Sequence, residues 1–192
     1  MKKAEHEKKI LLSLPEYNAL FQALSDKGFI VTQINHYYDT PNLDGNTNGI
    51  TYRIREKNGK FTATVKSHRI WGVDGSIEIS GNVSSPFDTS FFAVSDLSYQ
   101  GYMTTERLTF CPCEGIKLAL DKNSYLHFID YELEIEYSKN AEDEVAKVLC
   151  GILNILHANN IRASFSNIVC RLNMGPTKSE RFCAKQTQLK GR

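Results

Sequence analysis

Residues 131–137 read Tyr-Glu-Leu-Glu-Ile-Glu-Tyr. Strict alternation of acidic and apolar residues fits a β-strand, the structure that sends successive side chains to opposite faces. Glu132, Glu134 and Glu136 then form one row, and Tyr131, Leu133, Ile135 and Tyr137 the other. Neighbouring glutamates in such a row have Cα atoms about 7 Å apart. In open water their repulsion costs little. Enclosed, the row is unfavourable unless cations join it. The fold is therefore constrained by where this charged face points.

The same period recurs along the chain. Glu5, Glu7 and Lys9 share a face, as do Arg53 and Arg55 opposite Tyr52 and Ile54. Thr62, Thr64 and Lys66 oppose Phe61, Ala63 and Val65, and Ser76, Glu78 and Ser80 oppose Ile77 and Ile79. Thr105, Arg107 and Thr109 align, and Lys117 and Asp121 oppose Leu118 and Leu120. Strands are expected over 5–12, 31–38, 50–56, 60–67, 75–80, 102–111, 116–123, 125–137 and 164–173, with tight turns at Asn58-Gly59 and Asp74-Gly75. Two helices interrupt them. One starts near Pro15, carries Tyr17, Leu20, Phe21 and Leu24 at helical spacing, and stops at Gly28. The other runs from about Ala141 to Asn159, with Glu142, Asp143 and Glu144 in a first turn that favours acids. A short helix is expected at Asp88–Val94. The class is α+β, built on a large antiparallel sheet. Such a sheet can leave its charged side in water. If the apolar side packs outward against the helices, the charged side instead points into a closed barrel.

Composition narrows the function. Among 192 residues, 41% hydrophobic and 23% charged is ordinary for a globular protein. No apolar run is long enough to cross a bilayer as a helix, and no secretory leader is expected after Met1-Lys2-Lys3. Five cysteines in an unexported chain read as reduced thiols of a cytoplasmic protein. The net charge of +1 divides into +4 over residues 175–192 and −3 over the rest. That basic end is expected to be a solvated tail, so neither nucleic acid nor membrane is an expected partner. There is no Walker A loop and no Gly-rich dinucleotide motif. Cys111-Pro112-Cys113 has no second pair at zinc spacing; Cys150 reads as a core thiol, His36 as structural, and Trp71 as a loop residue that packs or stacks. The charged rows carry the chemistry instead. Carboxylate-only clusters suit Mg²⁺, Mn²⁺ or Ca²⁺, and arginines suit phosphate through a bidentate fork. Together they equip a phosphoryl-transfer site.

These rows resemble those of the CYTH domains, the triphosphate tunnel metalloenzymes. Glu5-His6-Glu7-Lys8-Lys9 resembles the family's Glu-x-Glu-x-Lys strand, and Tyr37-Tyr38-Asp39-Thr40-Pro41 its Tyr-Phe-Asp-Thr element. Tyr52-Arg53-Ile54-Arg55, Thr64-Val65-Lys66, Ile77-Glu78-Ile79 and Thr105-Glu106-Arg107 follow in family order, then Leu120-Asp121-Lys122-Asn123 and Tyr131–Glu136. The resemblance covers residues 4–174 and is nearest the Gram-positive bacterial branch. It implies a tunnel domain over 1–174, with 175–192 as a tail. It implies a closed antiparallel eight-stranded β-barrel with flanking helices, whose tunnel binds a triphosphate and one or two divalent metals, Mg²⁺ or Mn²⁺. By position, Glu5, Glu7, Glu134 and Glu136 would hold metal, Glu132 would lie outside them, and Glu78 and Asp121 would complete the acidic set. Lys9, Arg53, Arg55, Lys66 and Arg107 would hold phosphate. Lys117, on the Asp121 face, is added from its position alone. The implied activity is hydrolysis of tripolyphosphate or a nucleoside triphosphate. Class IV adenylyl cyclase, thiamine triphosphatase and a non-catalytic triphosphate-binding module are alternatives, and a homodimer is a candidate assembly. Two positions depart from the pattern. Asn167 stands where a last-strand Lys is expected, with Arg162, Arg171 or Lys178 as candidate substitutes, and Ser76 stands where some members carry Arg.

Overall fold

The alternating segments become eight strands in a computed structural model. It describes residues 2–67, 76–172 and 174–190, of which 2–5, 76, 139 and 190 are described in backbone only. The strands are β1 (Lys2–Leu12), β2 (Phe29–Asp39), β3 (Ile50–Lys57), β4 (Lys60–Ser67), β5 (Ser76–Val83), β6 (Ser98–Cys113), β7 (Ile116–Tyr125) and β8 (Phe128–Tyr137). All pair antiparallel, in the order β5-β4-β3-β2-β6-β7-β8-β1. The two ends of this order meet through β1. Its residues His6–Leu12 pair with β8, and Lys2–Glu5 pair with β5.

Two turns show why one hairpin is visible in the sequence and another is not. Asn58 and Gly59 link β3 to β4 with φ of 52° and 70°, the left-handed pair that a two-residue hairpin needs. Leu126 and His127 link β7 to β8 with φ of 48° and 66°. Neither is glycine or asparagine, so the strand expected over 125–137 runs straight through this turn. Such a conformation costs L-residues about 1–2 kcal/mol each. Leu126 offsets part of that by packing on Tyr37, Met103, Tyr125 and Phe182. Asp74-Gly75 and Trp71 lie outside the described residues.

Helices cover the outer face. Helix α1 (Leu14–Leu24) begins where Glu16 Oε2 accepts from Ser13 N at 2.7 Å. A four-residue turn, α2, spans Asp44–Thr47, and α3 spans Glu142–Ala158. Leu20 of α1 and Val145, Leu149, Ile152 and Leu156 of α3 pack on Ile10, Leu108, Leu118, Leu120, Leu133 and Ile135 of the sheet. Each such buried aliphatic side chain is worth about 1.5–3 kcal/mol. On the other flank Tyr38, Ile54 and Ala63 pack under Phe92. The apolar rows thus point outward into two cores, and the charged rows point inward. Among the described residues no helix is long and apolar enough to cross a membrane.

Four local expectations are corrected. Residues 164–173 do not form a strand: Phe165–Arg171 is helix α4, because Ser164 Oγ caps it by accepting from Asn167 N at 3.1 Å. The helix expected at Asp88–Val94 is one 3₁₀ turn, Thr89–Phe91. Cys150 is exposed on α3 rather than in the core. The basic end is not a solvated tail throughout. Lys178–Lys190 forms helix α5, and its Phe182 is fully buried against Tyr37, Met103 and Tyr125. Gly101 permits this contact. A Cβ there would lie 2.9 Å from Phe182 Cζ, and its φ of 127° excludes most other residues.

Candidate active site

Strand register assembles the inner face. Asp121 of β7 lies opposite Arg107 of β6 on one side and opposite Glu132 of β8 on the other. Lys9 of β1 lies opposite Glu134. Arg53 lies opposite Thr64, and Lys66 opposite Glu78. Two cavities follow, with Arg53 and Thr64 lining both. The inner one, about 60 Å³, is lined by Glu7, Lys9, Tyr37, Arg53, Lys66, Glu132, Glu134 and Lys178, among others. Its volume has room for a few waters. The outer one, about 370 Å³, is lined by Arg53, Arg55, Lys57, Lys60 and Glu78, among others. A cavity of about 730 Å³ also lies at the α3–α4 junction around His157, Arg162 and Asn167. It contains no carboxylate, so the convergent chemistry lies inside the sheet.

Three carboxylates meet there. Oxygens of Asp121, Glu132 and Glu134 all lie within 4.8 Å of one another. Asp121 and Glu132 are almost completely buried. Arg107 grips this group with a fork, Nε to Asp121 Oδ1 at 2.7 Å and Nη2 to Asp121 Oδ2 at 2.6 Å, and also reaches Glu134. Burial alone would raise the Glu134 carboxyl, but Arg107 and Lys178 hold it well below the usual range. Burial opposes the Arg107 charge, yet Glu134 and Asp121 raise that guanidinium above its ordinary value.

Helix α5 supplies more cations. Lys178 Nζ contacts Glu132, Glu134 and Asp121. Arg181 Nη1 lies 2.7 Å from Glu132, and its Nε donates to Asp130 Oδ2 at 2.8 Å. Asp130 also accepts from Tyr125 Oη and Asn123 Nδ2. Strand periodicity points to none of these α5 and Asp130 contacts. A signal for α5 is nonetheless present in the sequence: Thr177 and Glu180 have capping-box spacing, and Thr177 N donates to Glu180 Oε2 at 2.7 Å.

The opposite wall is basic. Arg55 Nε donates to the neutral Asn35 at 2.9 Å. Burial, then Arg53 and Arg107, lower the Arg55 guanidinium to about 9, so it stays a cation at neutral pH. Arg53 is 4.0 Å from Glu78, and its Nε is buried without a hydrogen-bond acceptor. Burial likewise lowers the Lys9 ammonium against the pull of Glu132 and Glu7.

The expected residues therefore separate into groups. Asp121, Glu132 and Glu134 converge, so Glu132 is central to the cluster and not peripheral to it. Glu136 stands apart, held by Lys117 at 2.8 and 2.9 Å. Glu7 is 3.9 Å from Lys66. Glu5 lies in β1 opposite Ser76, and its side chain is outside the described residues. Asn167 is exposed on α4, away from the inner face. Lys178 is the cation that reaches the acidic row instead. His36 faces outward, with Nδ1 3.2 Å from Tyr99 Oη.

A family profile described as the CYTH domain matches residues 3–164. The chain belongs to the CYTH domain family. YjbK of Bacillus subtilis (strain 168), named as a candidate triphosphatase, is 29% identical over 150 residues, covering 69% of this chain and 76% of YjbK. A CYTH-fold structure from Bacillus halodurans, named as a candidate adenylate cyclase, is 25% identical with a TM-score of 0.67, covering 94% of this chain and 98% of that one. HpAC1 from Hippeastrum, a candidate adenylyl cyclase described as having a dominant triphosphatase activity, is 21% identical with a TM-score of 0.67, covering 94% of this chain and 96% of its own. Relatives within the family thus bear enzyme names of two kinds, triphosphatase and cyclase.

Proposed function

We propose that this protein hydrolyses the terminal phosphoanhydride of a triphosphate, either inorganic tripolyphosphate or a nucleoside triphosphate. The carrying observation is the placement of Arg53 and Arg55 together on the wall of one cavity, where burial and then the neighbouring arginines lower the Arg55 guanidinium. Such a cluster is relieved by a polyanion. The triphosphatase name of YjbK and the triphosphatase activity ascribed to HpAC1 support the same reading. In this proposal β1 joins β5 to β8 so that the sheet works as a closed tunnel, and residues 1–174 act together with α5. The free cysteines suit a reducing compartment, and we place the protein in the cytoplasm.

Arg53, Arg55, Lys66 and Lys9 neutralise the phosphate oxygens and align the chain, with Arg107 on the far wall. Lys117, paired with Glu136, lies beyond that inner set. Asp121, Glu132 and Glu134 would hold a divalent ion; the all-oxygen donor set fits Mg²⁺ or Mn²⁺, and an ammonium group already stands among these oxygens. Glu5, Glu7, Glu78 and Glu136 remain further candidates. When bound, the ion supplies positive charge to the transferring phosphoryl group. Water attacks the terminal phosphorus in line, and the bridging oxygen leaves with the shortened phosphate. Fixed cations aimed at the developing charge contribute the largest part of such catalysis.

The test is phosphate release from tripolyphosphate, ATP and thiamine triphosphate with Mg²⁺, Mn²⁺ or EDTA, with cyclic AMP read in parallel. Release that EDTA abolishes supports the proposal. Cyclic AMP in place of phosphate overturns it in favour of a cyclase, and affinity without turnover makes the chamber a receptor.

A further inference from the structure

The acidic cluster already contains a cation belonging to the chain. Lys178 Nζ lies 2.5 Å from Glu132, 2.6 Å from Glu134 and 2.9 Å from Asp121. These are the same three residues whose oxygens come within 4.8 Å of one another. The side chain is only 12% exposed. Asp121, Glu132, Glu134 and Asp130, which shares Arg181, stand against Lys178, Arg107, Arg181 and, opposite Glu134, Lys9, so the cluster carries its own counter-charges as it stands.

A divalent ion cannot simply be added. Mg²⁺ binds oxygen at about 2.0–2.1 Å, and the ammonium holds the same oxygens at hydrogen-bond distance. Adding two charges beside Lys178 in an enclosed site would also leave an uncompensated excess. The inner cavity of about 60 Å³ shows how little space remains with Lys178 in place.

Lys178 is also attached where it can withdraw. It is the first residue of α5, a helix that follows the sheet in the chain and pairs with none of its strands. Its docking rests on Phe182, on the Arg181–Asp130 fork and on Gln186, which donates to Gln100 O. Moving the first turn of α5 would free the carboxylates at the cost of the Ser179–Thr51 hydrogen bond, and without breaking a strand pairing.

We propose that Lys178 is a built-in counter-ion that competes with the divalent metal for Asp121, Glu132 and Glu134, so that loading the metal expels Lys178 and loosens α5 from the sheet. This rests on the reading of those three carboxylates as the metal site. The lysine keeps the acidic wall neutral when no metal is bound, and it makes metal binding and helix position one equilibrium. A ligand that favours one must shift the other.

The test titrates Mn²⁺ into the full-length protein without triphosphate. Free Mn²⁺ is followed by its electron paramagnetic resonance signal, and amide exchange over 178–190 is read in the same samples. Wild type is expected to lose exchange protection in α5 as Mn²⁺ binds. Lys178→Met is expected to bind Mn²⁺ at least tenfold more tightly. Lys178→Arg, which keeps the charge, is expected to bind as wild type does, and the loss of α5 protection in wild type on Mn²⁺ binding carries the test if the Met variant does not fold. Equal affinity in all forms with α5 exchange unchanged overturns the competition and leaves the metal site standing. No Mn²⁺ bound by any form at millimolar concentration overturns the metal reading itself.

Discussion

On β7 and β8 the carboxylates of Asp121, Glu132 and Glu134 meet Arg107, Lys178 and Arg181 at 2.9 Å or less. On β3 the geometry is looser. Arg53 approaches Glu78 only to 4.0 Å, and Arg55 bonds a neutral amide. The two walls face one chamber but are balanced differently. The acidic wall is neutralised by the chain itself, much of it by a C-terminal helix. Among the described residues, Arg53 and Arg55 of the basic wall have no carboxylate closer than 4.0 Å, and burial, then Arg53, lower the Arg55 guanidinium. A wall that is stable as folded contributes to stability. A wall that holds excess charge is suited to bind a ligand of opposite sign. Substitutions on the two walls should therefore separate activity from stability.

The largest effect is expected on the basic wall. Arg53→Ala or Arg55→Ala should lower kcat/KM for the triphosphate by about 10²–10³-fold. Thermal melting should stay level or rise slightly, because like-charge repulsion is relieved. Unchanged turnover in both variants would break the comparison. On the acidic wall the balance reverses. Glu132→Ala removes a carboxylate shared by buried Lys178 and Arg181, and should cost about 3–5 kcal/mol in urea unfolding. A cost below about 1 kcal/mol would mean that the wall is not internally neutralised.

A pair outside both walls serves as a control. Burial would raise the Glu16 carboxyl, but hydrogen bonds from Arg171 and Ser13 lower it below 4.5. A group lowered in the folded state stabilises above its unfolded pKa and loses that contribution as pH falls through the folded value. Glu16→Gln should therefore cost about 1 kcal/mol at pH 7, and the melting difference should close below about pH 4. A difference independent of pH would show that this pair carries no charge-dependent stability. The smallest effect belongs to Asn167→Lys. That site is exposed on α4, so triphosphate affinity and turnover should not change. A gain in either would return Asn167 to the site.

The parts legible in the sequence are those governed by local periodicity. Alternation identifies β3, β4, β7 and β8 to within a few residues, with their inward rows, because burying one face of a strand selects every second residue. It puts Glu132 in the inward row but not at its depth, because strand period shows which face a residue takes and not how deep it lies in the chamber. The central place of Glu132 follows from being opposite Asp121 across β7 and β8. The β7–β8 turn is hidden because Leu126 and His127 adopt left-handed backbone without the usual residues. Helix α4 is missed although Phe165, Ile168 and Val169 have the i, i+3, i+4 spacing of a helix, because one such turn in a seven-residue run is a weak signal next to β-branched Ile168 and Val169, and the Ser164 cap decides it.

Helix α5 marks the boundary between the two kinds of information. The sequence alone determined that this chain builds a sheet with charged and apolar faces, because each strand's alternation is a property of neighbouring residues. Only the tertiary structure decided which carboxylates share one cation. Lys178 and Glu132 are 46 residues apart, and no local period relates them. They meet because Phe182 finds its pocket beside Gly101 and Arg181 finds Asp130, contacts that exist only once the sheet has curled and its inner charge needs neutralising.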